Sequence, residues 1–326
     1  MYDVVALGEA MLRLFPPHYQ RLEQADSFNV TIGGAELSVA ANVSRLGLRS
    51  TWISKLPENP MGRMIANKAR EQGVDTSQIV WTNDGRAGLY FVEFGSTPRP
   101  TSVIYDRKNS AASMLKPGEV NWEKILKESK FFHTSGITPA LSHDCREVTI
   151  EAIEAAKNAG CEVGFDLNFR SKLWSADEAR GCYEQLLDKV DILITTQFDA
   201  EEVFGYTGDY EDIARRFSES FGIPVVAITL RGVKSVFTGT WTSLVYAGGE
   251  LHTDEVYEVE IVDRFGAGDS FASGFIYGYL TNGLEQGLKI GNAMAAIKHS
   301  IPGDINWITM EDIQRVLKSK DFRVQR

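Results

Sequence analysis

Short apolar runs alternate with amphipathic stretches along most of this chain, and that alternation restricts the fold more than any other feature of the sequence. Residues 4–7 read as a buried strand, 37–46 as a helix closed by Gly47, 51–55 as a strand, and 61–72 as a helix closed by Gly73. Further strands are expected at 131–134, 163–167, 192–195 and 225–230, and further helices at 148–158, 176–187, 210–217 and 268–280. Strand–helix alternation implies a mostly parallel sheet covered by helices on both faces. Strands buried on both faces are continuously apolar, as Val225-Val226-Ala227-Ile228 is. Pro224 stands just before that run, where a missing N–H costs least.

One region departs from the pattern. Residues 89–94 and 102–106 are aromatic and β-branched, and Gly95-Ser96-Thr97-Pro98-Arg99-Pro100 between them is rich in turn formers, which predicts a hairpin. Phe28, Val30 and Ile32 alternate with Asn29 and Thr31, as a strand with one wet face would. These segments are expected to form a small sheet standing off the main one.

Bulk properties narrow the function classes. The 326 residues are 43% hydrophobic and 24% charged, enough to bury a substantial core. A net charge of −10 disfavours general binding of nucleic acid or anionic membrane, so any anionic substrate must meet locally supplied positive charge. Cys145, Cys161 and Cys182 are widely spaced and read as free thiols in a reducing compartment. The N-terminal residues lack a basic flank and apolar core, and no apolar run approaches the roughly 20 residues of a membrane span. A cytoplasmic protein is the expectation.

The segment Asp263-Arg264-Phe265-Gly266-Ala267-Gly268-Asp269-Ser270 carries the clearest chemistry. Glycines that open a helix let a ligand approach backbone N–H groups, and the helix start carries partial positive charge, so an anion can bind without a basic side chain. Asp269 at the mouth of such a site would compete with the anion if it were only a cap. As the acceptor of a hydroxyl proton beside a transferring phosphoryl group, its placement is sensible. The alternative is a glycine-rich turn with an aspartate cap. Other nucleotide motifs fit poorly: Phe271 stands where G-x-G-x-x-G needs glycine, no Gly-Lys pair supports a Walker A loop, and no His-Arg-Asp catalytic loop occurs. A second segment, Gly33-Gly34-Ala35-Glu36 running into the small-residue stretch to Gly47, suits either close backbone approach to a sugar or a plain loop-to-helix junction.

In order and separation, and over nearly the whole chain, these two segments resemble the ribokinase-like sugar kinases, the PfkB family. The resemblance implies an α/β, three-layer fold with a mostly parallel central sheet and a β-sheet lid. It would divide the chain into a nucleotide- and substrate-binding core (1–11, 34–85 and 108–326) and a lid (12–33 and 86–107). Within the family, Gly33-Gly34-Ala35-Glu36, Tyr105-Asp106-Arg107, Asp166-Leu167-Asn168-Phe169-Arg170 with Leu173-Trp174, and Asp263-Arg264 before Gly266 are similar to the branch that phosphorylates 2-keto-3-deoxygluconate.

By that resemblance Gly266, Ala267 and Gly268 form the anion hole and Asp269 is the catalytic base. Gly34, Tyr90, Tyr105, Arg107 and Arg170 would hold a sugar acid, with Gly33, Ile137 and Asp304 also on the substrate side. Asn168, Thr196, Thr229, Arg231, Gly232, Lys234 and Asn292 would lie towards ATP, together with Gly266 and Gly268. Asp199 would reach Mg2+ through water, with Glu202 as the alternative acid. Monovalent-cation activation stays open. The partners implied are the sugar acid, ATP and further copies of the chain.

The residues themselves support an acid substrate. Tyr105 and Arg107 share a face if extended, and so do Asp166, Asn168 and Arg170 where a strand runs out into a loop. Two arginines converging there could grip a carboxylate bidentately, or could instead make surface pairs with nearby acids. The chain departs from the usual family pattern at three places: Ser38 stands for asparagine, Thr196-Gln197-Phe198-Asp199 for N-x-x-E, and Arg231 for the glycine of T-x-G-x-x-G.

Overall fold

The structure, a computed structural model, describes residues 1–318. Nine strands form the central sheet. Eight follow the order Glu250–Thr253, Thr238–Ala247, Val225–Val233, Ile192–Thr196, Glu162–Asp166, Phe131–Ser135, Val4–Leu7 and Ser50–Ile53, and Tyr257–Glu260 pairs with Thr238–Ala247. Pairing is parallel from Val225–Val233 to Ser50–Ile53 and antiparallel beyond Val225–Val233.

Alternate residues of each inner strand enter different cores, which explains the continuous apolar runs. Val5, Leu7, Phe132, Phe165, Leu193 and Val226 pack with the helices His143–Asn158, Ala176–Tyr183, Gln197–Phe204 and Tyr210–Phe221. Val4, Phe131, Ile192, Ile194 and Ala227 pack on the opposite face with Ala35–Arg45, Ala267–Asn282 and Leu284–Lys298. A fully buried side chain of this size contributes roughly 1.5–3 kcal/mol, so the three layers are held chiefly by apolar burial. This is the α/β arrangement expected from the alternation.

The small sheet is also present, in the order Asn29–Gly33, Met11–Phe15, Gly88–Glu93 and Ser102–Asp106. The expected hairpin pairs Leu89 with Asp106 through Glu93 with Ser102. Met11–Phe15 lies inside this sheet, antiparallel to Asn29–Gly33 and parallel to Gly88–Glu93. The stretch expected as one strand at 51–55 divides at Ser54: Ser50–Ile53 joins the main sheet, and Lys55–Pro57 pairs with Val80–Thr82. The helix expected over 176–187 ends at Tyr183, with a 3-10 turn at Leu187–Lys189.

Candidate active site

The chain enters the helix Ala267–Asn282 through Gly266, whose φ is 77°. An L side chain is strained there, and a Cβ would stand 1.9 Å from the Asp304 carbonyl oxygen. The position therefore requires glycine on two separate grounds. Gly266 provides no capping side chain. Ser270 N–H donates to the Gly266 carbonyl at 2.8 Å, while the amides of Ala267, Gly268 and Asp269 meet no acceptor among the described residues. Three N–H groups at a helix start form a ready anion site. Asp269 lies in the first turn rather than at the cap position, so the reading of this aspartate as a helix cap is set aside.

The carboxyl ends of the parallel strands converge on this helix start, where ligands collect in open α/β sheets. One cleft is lined by Asp166, Asn168, Arg170, Thr196, Asp199, Thr229, Arg231 and the segment from Arg264 to Asp269. Asp166 ends its strand and Asn168 has φ 39°, so these residues and Arg170 do not share a face by strand parity. The left-handed turn gathers them instead. Asn168 N–H donates to Asp166 Oδ1 at 3.1 Å, a local side-chain bond that suits asparagine in this conformation. Thr196 accepts from the Asp199 amide at 3.1 Å and so caps the helix Gln197–Phe204 while facing the cleft. Asp199 is buried in the cleft wall, whereas Glu202 is exposed and outside it.

The carboxylates of this cleft are not equivalent. Burial pushes Asp269 up to about 6, Asp304 adds repulsion, and Arg170, Arg231 and Lys298 oppose the rise. Burial also raises Asp166 to about 8, with Asp199 and Asp269 adding repulsion and Arg170 and Arg231 opposing it. Asp199 is raised by burial to about 6, opposed first by the Thr196 hydrogen bond. Among the described residues no three His, Cys, Asp or Glu side chains make a protein-only metal cage. Mg2+ needs none, because it keeps waters and phosphate oxygens with one or two carboxylates. Crowded acids at Asp166 and Asp199 are suitable oxygen donors for it.

The small sheet meets the core beside Gly266, through Asp304. Tyr90 Oη donates to Asp304 Oδ2 at 2.7 Å, and a Cβ on Gly33 would stand 2.0 Å from that Tyr90 oxygen and 2.5 Å from Asp304 Oδ2. Gly33, Tyr90, Asp304 and Gly266 are thus in one packed cluster. Arg13 holds it together: Nη1 donates to Asp304 Oδ1 and Nη2 to Asp263 Oδ2, both at 2.8 Å. Asp263 accepts in turn from the amides of Phe265 and Gly303, which fixes the loop before the anion hole.

Next to this, Arg107 Nε donates to Glu9 Oε2 at 2.8 Å, and Nη2 reaches the same oxygen. A Cβ on Gly34 would stand 2.4 Å from the Glu9 carbonyl oxygen. Tyr105 stacks on Tyr90 at 5.8 Å, and the Arg107 guanidinium lies 5.9 Å from the Tyr105 ring. Ile137 opens a short helix after the strand Phe131–Ser135, again at a carboxyl end.

Three expected nucleotide residues stand outside the cleft. Lys234 is exposed and paired with Glu258 at 2.8 Å, and Gly232 packs against Thr240. Asn292 is fully buried. It accepts from Trp241 Nε1 at 3.1 Å and Ser243 Oγ at 2.8 Å, and it donates to Asp254 Oδ2 at 3.0 Å. Ser38 is buried and its hydroxyl has no partner among the described residues.

The structure adds Arg13 and Glu9 to the residues named from the sequence, and gives places in the site to Glu36 and Asp166, which the sequence offered only as members of motifs. Glu36 Oε1 accepts from Ser135 Oγ at 2.5 Å and Thr138 Oγ1 at 3.1 Å, and burial raises its carboxyl to about 7. Arg13 had a visible signal: a single charge inside the apolar run Met11-Leu12-Arg13-Leu14-Phe15.

Comparison with known proteins agrees with this geometry. The 2-dehydro-3-deoxygalactonokinase of Haloferax volcanii is 38% identical over 325 residues, covering 99% of each chain. The 5-dehydro-2-deoxygluconokinase of Bacillus subtilis is 32% identical, covering 98% of this chain and 97% of its own. The crystal structure of the 2-dehydro-3-deoxygluconokinase of Thermotoga maritima superposes with a TM-score of 0.94 at 39% identity, over 97% of this chain and 98% of that one. The family model described as pfkB family carbohydrate kinase matches residues 1–310, and the chain belongs to that family.

Proposed function

We propose that this kinase transfers the γ-phosphoryl group of ATP to a hydroxyl of 2-keto-3-deoxygluconate, giving 2-keto-3-deoxy-6-phosphogluconate. The observation that carries the reading is the juxtaposition of three unpaired amides, a half-buried Asp269 at about 6, and two of the cleft's three arginines, Arg170 and Arg231, whose charges act on Asp269. The amides and the arginines stabilise phosphoryl charge and orient the acid, and Asp269 accepts the hydroxyl proton. Bound Mg2+ would neutralise phosphate charge. Asp199 would hold its water shell, with Asp166 beside it.

A second reading has one specific support: the Haloferax relative is named for the galacto substrate, the C4 epimer. A coupled ATP-consumption assay over 2-keto-3-deoxygluconate, its galacto epimer, 5-dehydro-2-deoxygluconate, fructose and ribose decides between them. A clear preference for a neutral sugar would remove the carboxylate argument, and no turnover with any of them would favour a silent sugar sensor.

Carboxylate recognition has its own test. Arg107→Ala and Arg170→Ala should each raise KM for the sugar acid by roughly 10-fold or more, a lost charge-assisted bond of about 1.5–3 kcal/mol, and change KM for ATP little. Arg107 is engaged with Glu9, so its effect includes release of a buried carboxylate. Equal losses for both ligands would count against the assignment.

The proton acceptor predicts a pH profile. Asp269 must be ionised to take a proton, so kcat/KM, which reports the free enzyme, should fall as pH drops through about 6 and level off above it. A profile flat down to pH ~4, the ordinary aspartate range, would mean another group carries the step.

The reading also includes a cytoplasmic homo-oligomer. Leu14 pairs with Val30 and Phe91, and Phe91 with Ile104, so these four side chains make an apolar row across the small sheet, and Val30 and Ile104 are exposed. A second copy could cover that row, which sedimentation at working concentration would detect.

A further inference from the structure

We propose that Arg231 is a catalytic residue of this kinase, donating hydrogen bonds from its guanidinium to the phosphoryl group in transit. This role rests on the family's kinase chemistry and does not depend on which sugar is the acceptor.

Arg231 lies on the strand Val225–Val233, two residues after Thr229, and both side chains face the cleft beside the anion hole. A Cβ on Gly268 would stand 2.9 Å from Arg231 Nη2, so the guanidinium lies directly over the first turn of the helix whose amides are unpaired. Glycine at 268 is what leaves it room.

The guanidinium has no hydrogen bond and no ion pair within the described residues, although Asp166, Asp199 and Asp269 are near enough to feel its charge. Arg231 stands at the exposed end of its strand, so its donors are open to a ligand entering the cleft beside Gly268.

It is also held in place. Its guanidinium stacks 5.1 Å from the ring of Trp241, the residue paired with it across the antiparallel ladder. Asn292 accepts from Trp241 Nε1 at 3.1 Å and fixes that ring. Asn292, outside the cleft itself, thus acts as support for the platform beneath the arginine. Preorganised donors of this kind act mainly in the transition state, where charge is spread over the equatorial oxygens.

The balance of the step is simple. The acceptor oxygen forms a bond to the γ-phosphorus, the bond from that phosphorus to the β–γ bridging oxygen breaks, and ADP leaves with that electron pair. The hydroxyl proton passes to Asp269. Arg231 keeps its proton throughout and contributes only hydrogen bonds and charge.

The test compares wild type with Arg231→Ala, using whichever sugar the wild type phosphorylates. The expected result is a kcat about 10²-fold lower, with KM for ATP and for the sugar changed by less than about threefold. ADP with aluminium fluoride and the sugar, a mimic of the transition state, should lose affinity in parallel with kcat, while a non-hydrolysable ATP analogue binds nearly as before. Arg231→Gln keeps the stem over Trp241 and is read in the same way should the alanine variant fail to fold. Near-wild-type kcat, or a loss confined to KM for ATP with equal weakening of the ATP analogue, would overturn the assignment and leave Arg231 a nucleotide anchor. Wild type inactive on sugar acids but active on a neutral sugar would refute the substrate reading and leave this comparison intact.

Discussion

Asp269→Asn should lower kcat by about 10²–10⁴-fold, the usual range for a positioned acid–base group, and should leave the protein at least as stable as wild type. Both halves follow from the surroundings. The carboxylate sits half-buried over unpaired amides, and burial raises it towards about 6. At neutral pH the folded state therefore holds a charge it disfavours, and an amide of the same shape removes that burden. Unchanged or raised thermal stability would show that lost turnover is lost chemistry.

The neighbouring acids cannot easily substitute. Asp166, at about 8, mostly carries a proton at pH 7 and is a poor acceptor. Glu36 directs one oxygen at the hydroxyls of Ser135 and Thr138. Steady-state kcat together with a melting curve checks the prediction. Turnover within a few-fold of wild type would mean that the proton leaves by another route, most simply to water.

How far the sequence could be read depended on whether the relevant signal was local. Val225–Val233 was legible because a strand covered on both faces must be apolar throughout, and the hairpin of Gly88–Glu93 with Ser102–Asp106 because its turn residues lie between two β-prone runs. The antiparallel strand Thr238–Ala247 was not. Its first half alternates Gly239 and Trp241 buried with Thr240 and Thr242 half-buried, and only the short stretch Leu244-Val245-Tyr246 is continuously apolar and buried. The anion hole was legible because helix geometry alone creates it.

The contacts of Arg13, Glu9 and Arg107 were hidden. Arg13 reaches Asp263 and Asp304, 250 and 291 residues away, and Arg107 reaches Glu9, 98 residues away. Spacing of residue types carries no information over such separations. Asn168 illustrates the intermediate case: the right residues were identified at 166–170, but a left-handed turn rather than strand parity brings them together.

Arg13→Met should destabilise the protein by about 3–5 kcal/mol, the cost of leaving buried charge without its partner. Arg13 is 0% exposed, stands 4.6 Å from the Phe265 ring and 5.2 Å from the Phe15 ring, and is bonded to two carboxylates that are themselves buried. Methionine fills much of the stem volume, so the loss is mainly electrostatic.

That origin fixes the sign of the pH dependence. Burial already raises Asp304 above its ordinary value, and Arg13 is the first influence pulling it back. Without Arg13 the folded-state value climbs further while the unfolded value stays near 3.8. The folded variant then binds a proton that the unfolded chain releases, so its stability should be best at low pH and fall as pH rises through that interval. The gap to wild type should therefore be widest near neutrality and narrow on acidification. Asp304→Asn and Asp263→Asn added to the methionine variant should recover much of the lost stability, since neither position is left as a carboxylate without its arginine. Denaturant unfolding of wild type, the methionine variant and the triple variant at several pH values checks this. A gap independent of pH, or one that widens in acid, would assign the loss to packing around Phe15, Phe94 and Phe265 instead.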